Sequence, residues 1–140
     1  MSEPLTFVDT NVFGYALDTS NATKQARATA FLNHLWAERA GVVSTQVLAE
    51  LYAVLTRKLG FAPDDARRRV TPYTAWHVVQ IDVPMLTGAM IRNTHDAVAW
   101  WDCLIIEAAL RAGATRLASE DFGAGRRFDG VLEVADPMAA

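Results

Sequence analysis

Apolar positions along the chain fall into short continuous runs separated by longer repeats at three- and four-residue steps. Leu5-Thr6-Phe7-Val8 is the first run, and it leads straight into Asp9-Thr10-Asn11. Its brevity and its bias to Thr, Phe and Val predict a strand buried on both faces. The three polar residues stop that strand and suit the cap of a following helix. Val12 to Leu17 predicts a short helical turn, and Asp18-Thr19-Ser20-Asn21 is a polar break. A helix is expected over 22–39, with Ala26, Ala30, Phe31 and Leu35 on one face and Gly41 ending it. Val42-Val43 predicts a second strand. Ser44 or Thr45 then opens a helix to about Leu59, closed by Gly60.

A further helix is expected over 63–75, then a strand over 76–81 and a helix from Asp82-Val83-Pro84 to about Asn93. The segment from Trp100 to Ala112 predicts another helix, ended by Gly113. Thr115 to Ser119 predicts a strand that runs into Glu120 and Asp121. Gly123, Gly125, Arg126 and Arg127 are expected to form a loop able to lie close to a phosphate. A last strand is expected over 131–134, with a frayed tail after Asp136-Pro137. Alternation of strand and helix predicts an α/β domain with a parallel sheet. With no internal repeat and no linker, residues 1–140 are expected to form one domain.

Composition narrows the class. At 51% hydrophobic residues and without low-complexity runs, the chain can build a core. No apolar run reaches the ~18 residues that span a bilayer. Met1-Ser2-Glu3-Pro4 lacks the basic region and apolar core of a signal peptide, and Cys103 is the single cysteine, so no internal disulfide can form. A reducing cytoplasm and no membrane are therefore expected. The net charge of −3 looks unsuited to a nucleic-acid partner. Setting aside Asp9, Glu50, Asp102 and Asp121, however, leaves 12 acidic residues against 13 basic. Charge thus neither supports nor excludes RNA.

Those four acids carry the candidate chemistry. Asp9 and Asp121 end strands, and in an open parallel sheet ligands sit beyond the carboxyl ends of strands. Asp9 also reads as a simple helix cap. Glu50 projects from the edge of the apolar stripe Val47, Leu51 and Val54, not from the polar back with Arg57 and Lys58. Asp102 shares a helix face with Ile105, Ile106 and Ala109, where an unpaired carboxylate is costly. If the fold gathers all four at one edge, they repel one another and raise each other's proton affinity. A hard divalent cation, which prefers oxygen ligands, is the remedy. His34, His77, His95 and Cys103 show no zinc spacing.

Phe7-Val8-Asp9-Thr10-Asn11, Glu50 in Val47-Leu48-Ala49-Glu50-Leu51, Trp101-Asp102-Cys103-Leu104-Ile105 and Leu117-Ala118-Ser119-Glu120-Asp121-Phe122 occur in this order along nearly the whole chain. In this the chain resembles the PIN domain, and more narrowly the VapC-type toxins of bacterial toxin–antitoxin pairs. Cys103 departs from the small Ala more usual beside the acid. The resemblance implies a three-layer α/β/α sandwich and a Mg²⁺- or Mn²⁺-dependent ribonuclease that hydrolyses phosphodiester bonds with a metal-activated water. It implies Asp9 and Asp102 as principal metal ligands, with Glu50 and Asp121 as the remaining acids. Thr10, Asn11 and Ser119 would hold the carboxylates in place. Glu120 competes with its neighbour for the place of Asp121. The resemblance further implies an RNA substrate, a small antitoxin and a homodimer. Phe31, Leu35, Trp36, Leu51 and Tyr52 are candidate contacts for either protein partner. Arg126 and Arg127 are candidate RNA contacts, as are Arg67, Arg68 and Arg69.

Two rivals differ in kind. An aspartyl-phosphate-type phosphatase would use Asp9 as nucleophile, but Asn11 stands where its second Asp is expected and neither Lys24 nor Lys58 is placed convincingly. A PIN-like interaction module without activity would not need all four acids.

Overall fold

In a computed structural model, which describes residues 3–139, the short apolar runs form six strands of one sheet. In chain order the elements are β1 (Thr6–Val8), α1 (Thr10–Leu17), α2 (Ala22–Glu38), β2 (Gly41–Ser44), α3 (Thr45–Arg57) and α4 (Pro63–Val70), then β3 (His77–Val79), α5 (Val83–His95), α6 (Trp100–Arg111), β4 (Arg116–Ala118), β5 (Arg127–Phe128) and β6 (Leu132–Ala135). The fold is an α/β/α sandwich with a mostly parallel sheet, as expected. Met1 and Ser2, part of the segment read for a signal peptide, lie outside the described residues, as does Ala140.

Strand order is β3-β2-β1-β4-β6-β5. Every pairing is parallel except β5 with β6. β1 is wholly buried, as are β2 and the apolar residues of β4, because helices cover both faces of a parallel sheet. The chain leaves β1 towards β2 and β3, then returns to lay β4 on the other flank of β1. The register pairs Phe7 with Leu117 and Val8 with Ala118. Asp9 therefore leaves the sheet beside Ser119, at the point where strand order reverses. A crevice opens at such a point because the two connections depart to opposite sides.

Several local expectations are corrected. The buried face of α2 is Ala28, Leu32 and Leu35, whereas Ala26 and Ala30 are exposed. The helix is alanine-rich, so small residues gave no clear stripe. Its left-handed closing residue is Arg39 (φ 53°), not a glycine. Gly41 opens β2, and a Cβ there would lie 2.5 Å from the Trp76 ring. The helix expected over 63–75 stops at Val70 and continues as a 3₁₀ turn, Thr71–Ala75, with Pro72 in it. Arg127 lies in an edge strand of two residues, too short to show alternation. The tail is not frayed as far as Met138, whose side chain is buried, whose N–H donates to Asp136 and whose carbonyl accepts from Arg27 at 3.0 Å.

Candidate active site

Asp9 is placed by two opposing demands. As N-cap of α1 it accepts from the Thr10 amide at 2.7 Å through Oδ1. Oδ2 accepts from the Ser119 hydroxyl at 2.8 Å and from Asn11 Nδ2 at 3.3 Å. The residue is only 6% exposed. Burial is the main force pushing its pKa up, to about 6, against the pull of the Ser119 and Thr10 hydrogen bonds, and Asp121 and Asp102 push in the same direction as burial. Cap and functional carboxylate are thus compatible: one oxygen caps the helix, and the other is held by Ser119 and Asn11.

The other acids arrive from separate elements. Glu50 sits two turns into α3, where Oε2 accepts from Thr10 Oγ1 at 3.0 Å and Oε1 from Gln46 Nε2 at 3.1 Å. Asp102 lies in the first turn of α6, which has no side-chain cap, so its carboxylate meets the positive end of the helix. Partial burial raises its pKa, and Asp121 and Glu50 add to the rise. Asp121 follows β4 and accepts from Asn11 Nδ2 at 3.1 Å, while its own amide donates to Ser119 Oγ at 3.1 Å. Asn11 and Ser119 therefore tie Asp9 to Asp121 across 112 positions of sequence, counted from the two residue numbers.

All four acids line one cleft of about 530 Å³. None of them takes part in an ion pair within 4 Å among the described residues. Burial chiefly raises the pKa values of Asp9 and Asp102, and the neighbouring acids add to both rises. No three acids among the described residues stand close enough to one point to hold an ion by themselves. The donors nonetheless suit Mg²⁺, which commonly binds through one or two carboxylates and keeps several waters.

Glu120 lines the cleft too, but both its oxygens are engaged. Tyr15 Oη donates to Oε1 at 2.9 Å, and Lys24 Nζ pairs with Oε2 at 3.0 Å. Its neighbour Asp121 has no ion pair within 4 Å among the described residues. Arg126 and Arg127 do not line the cleft. Arg126 lies over the Phe128 ring at 4.7 Å, and Arg127 pairs with Glu133 at 3.4 Å. Arg67 and Arg68 pair with Asp64 on their own helix. Of the candidate partner contacts, Leu35 and Leu51 are core, whereas Trp36 and Tyr52 are exposed. Cys103 is buried beside Ala89 and Leu104, so the departure from Ala falls in packing.

Sequence reasoning missed Gln46, Tyr15, Lys58 and Trp101 as cleft residues. Gln46 was findable, since it precedes Glu50 by four positions on one helix face. Its amide is oriented by Nε2, which donates to Glu50 and to the Trp101 carbonyl at 3.3 Å. Its Oε1 is buried with no donor in reach. The Lys24–Glu120 pair spans 96 positions and had no local signal.

A crevice at the strand-order reversal of this sheet, with acids from β1, α3, α6 and the β4 end, defines a small α/β protein with an acidic catalytic-type cleft. Residues 6–127 match the model of the PIN domain, and the chain belongs to the PIN domain family. Its fold is similar to that of VapC20 from Mycobacterium tuberculosis, described as a sarcin–ricin loop cleaving toxin, with 19% identity, a TM-score of 0.65 and coverage of 84% of this chain and 92% of that one. It is also similar to a chain of FitAB bound to a DNA fragment, IR36, with 21% identity, a TM-score of 0.71 and 97% of both chains covered. No curated protein matches the chain significantly.

Proposed function

We propose that this PIN domain is a divalent-metal-dependent endoribonuclease and the toxin of a type II toxin–antitoxin pair. The observation that carries the reading is the one cleft lined by Asp9, Glu50, Asp102 and Asp121, none of which forms an ion pair within 4 Å among the described residues. Asp9 and Asp102 would be the principal ligands of Mg²⁺ or Mn²⁺, with Glu50 and Asp121 binding or orienting the ion and its waters. A divalent ion there supplies positive charge against the phosphate and lowers the pKa of a water. The rest falls to the chain itself. The Ser119 hydroxyl and Thr10 amide fix both Asp9 oxygens, and Thr10 and Gln46 fix Glu50. Asn11 holds Asp121 at the distance of Asp9, and Lys24 with Tyr15 draws Glu120 aside, which favours Asp121 as the fourth acid.

The partners in this reading are an RNA substrate, a small antitoxin and a second copy of the chain. Similarity to the FitAB chain, solved with DNA, supports the protein partner. No helix of the described residues is long and apolar enough to cross a membrane, and a cytoplasmic site of action fits that.

The test is cleavage of total cellular RNA by the purified chain, with Mg²⁺ and with chelator, followed by mapping of the new ends. Asp9→Asn and Asp102→Asn are each expected to slow cleavage at least about a hundredfold while the variants remain folded. Near-wild-type cleavage by either folded variant would remove the assignment.

A further inference from the structure

The cleft is longer than the acid cluster, and α3 forms its wall. Gln46 lies about 6 Å before Glu50 along the helix axis and Lys58 about 12 Å beyond it, at 1.5 Å per residue. The two ends carry different chemistry. At the Gln46 end stands Trp101, which is 63% exposed, the second most exposed of the large apolar residues among the described residues. Gln46 Nε2 donates to its backbone carbonyl, and the ring of Trp100, which packs on Ala89, Cys103 and Leu104, lies beside its indole with centroids 6.3 Å apart. At the other end, Lys58 is exposed on the cleft rim and forms no ion pair within 4 Å among the described residues. Between the ends the lining combines the acids with the apolar Ala53, Val54 and Ile105.

An exposed aromatic face at one end, and at the other a lysine near Asp18 but with no ion pair within 4 Å among the described residues, match the two devices by which proteins track an unpaired nucleic-acid strand. We propose that single-stranded RNA lies along α3, with one base stacked on Trp101 at the Gln46 end and a backbone phosphate against Lys58 at the other, so that the intervening phosphate is presented to the four acids. This deepens the ribonuclease reading and rests on it. The acidic centre repels the strand, and the two end contacts hold it there. Gln46 joins the two parts, since one amide nitrogen bonds both Glu50 and the Trp101 carbonyl.

The experiment uses the full chain with Ca²⁺ in place of Mg²⁺, and end-labelled oligoadenylate and oligouridylate as probes. Binding is read by fluorescence polarisation and by quenching of tryptophan emission. Trp101→Ala is expected to weaken binding of oligoadenylate about 5- to 100-fold, and of oligouridylate less, because stacking grows with the base. Trp101→Phe is expected to keep most of the affinity but lose most of the quenching. Lys58→Ala is expected to weaken both probes alike and to lower the salt slope of log affinity by about 0.7. In cleavage assays with Mg²⁺, both Ala variants are expected to raise KM more than they lower kcat. Both side chains are exposed, and unchanged melting temperatures confirm that the variants fold.

Affinity within twofold of wild type for Trp101→Ala overturns the path and makes Trp101 a protein-contact residue. So does a Lys58→Ala variant with an unchanged salt slope. Cleavage by wild type with an unaffected Trp101→Ala variant removes the path and leaves the ribonuclease. Stacking and binding without any cleavage removes the ribonuclease and leaves the path, and a wild-type chain that neither binds nor cleaves removes both.

Discussion

Asp9 is kept at a cost that the metal-free chain bears alone. Its carboxyl rises from an ordinary 3.8 to about 6 in the folded protein, chiefly through burial. The folded state thus holds the proton more tightly than the unfolded chain, so stability falls as pH rises between about 4 and 6 and stays reduced above that. At 1.36 kcal/mol per unit, the ionised group costs up to about 3 kcal/mol at neutral pH. Asn caps helices as well as Asp and carries no charge. In chelator near neutral pH, Asp9→Asn is therefore expected to melt several degrees above wild type, with the gap closing near pH 4. Mg²⁺ is expected to raise the melting temperature of wild type but not of the variant. Calorimetry showing the variant less stable at neutral pH in chelator would contradict this account. Single residues of this kind were legible in the sequence because they break the pattern. A carboxylate on an apolar stripe, as at Glu50 and Asp102, needs a reason, whereas Lys58 on a polar face does not attract notice.

Between elements, the tightest constraint lies where β2 meets the aromatic group Phe13, Trp36, Tyr73 and Trp76. Trp76 packs against the other three at centroid distances of 5.7, 5.5 and 5.1 Å, and its ring covers Gly41. A methyl group at Gly41 has nowhere to go, since the ring that blocks it is itself pinned. Gly41→Ala is expected to destabilise the chain by about 1–3 kcal/mol, the usual cost of overpacking. Urea unfolding measures it, and Trp76→Leu in the same background is expected to recover part of the loss. An unchanged midpoint for Gly41→Ala would mean that the ring moves freely. The sequence read Gly41 as a helix terminator because glycine after a helix usually is one. Its role here is close packing, set by a residue 35 positions away, and nothing local announced it. The alanine-rich α2 misled for a related reason: a methyl group satisfies either face of a helix, so burial was decided by which side met the sheet.

Across the molecule, Arg92 gathers parts that the sheet does not. Its side chain is 9% exposed and reaches Glu107 on α6 at 3.0 Å, Asp96 at 3.3 Å and both oxygens of Asp129 at 2.9 and 3.0 Å. Asp129 sits at the β5–β6 turn with φ 54°, so the pairing also fixes a left-handed turn residue. The Arg92 hydrogen bond holds the Asp129 carboxyl below the usual carboxylate range, so its contribution is present above about pH 4 and fades as pH falls through the lowered value. Arg92→Lys, which cannot form the two-pronged contact, is expected to lose about 1–2 kcal/mol. Arg92→Ala is expected to lose about 2–4 kcal/mol, since it leaves Glu107 half-buried without its partner. Denaturant unfolding checks both, and equal stability of Lys and Arg at this position would show that the fork geometry is unused.

The order of strands and helices, the termini of most of them and the identity of the four acids were fixed by short-range chemistry: side-chain periodicity, capping groups and carboxylates where apolar residues were due. Those forces act within a few residues, so a linear reading reaches them. The meeting of the acids was not of that kind. It depends on β4 returning to the free flank of β1, a choice among strand pairings made by long-range burial and hydrogen bonding. That same choice set Ser119 against Asp9, gave Glu120 to Lys24 and put Trp101 and Lys58 at the two ends of one cleft.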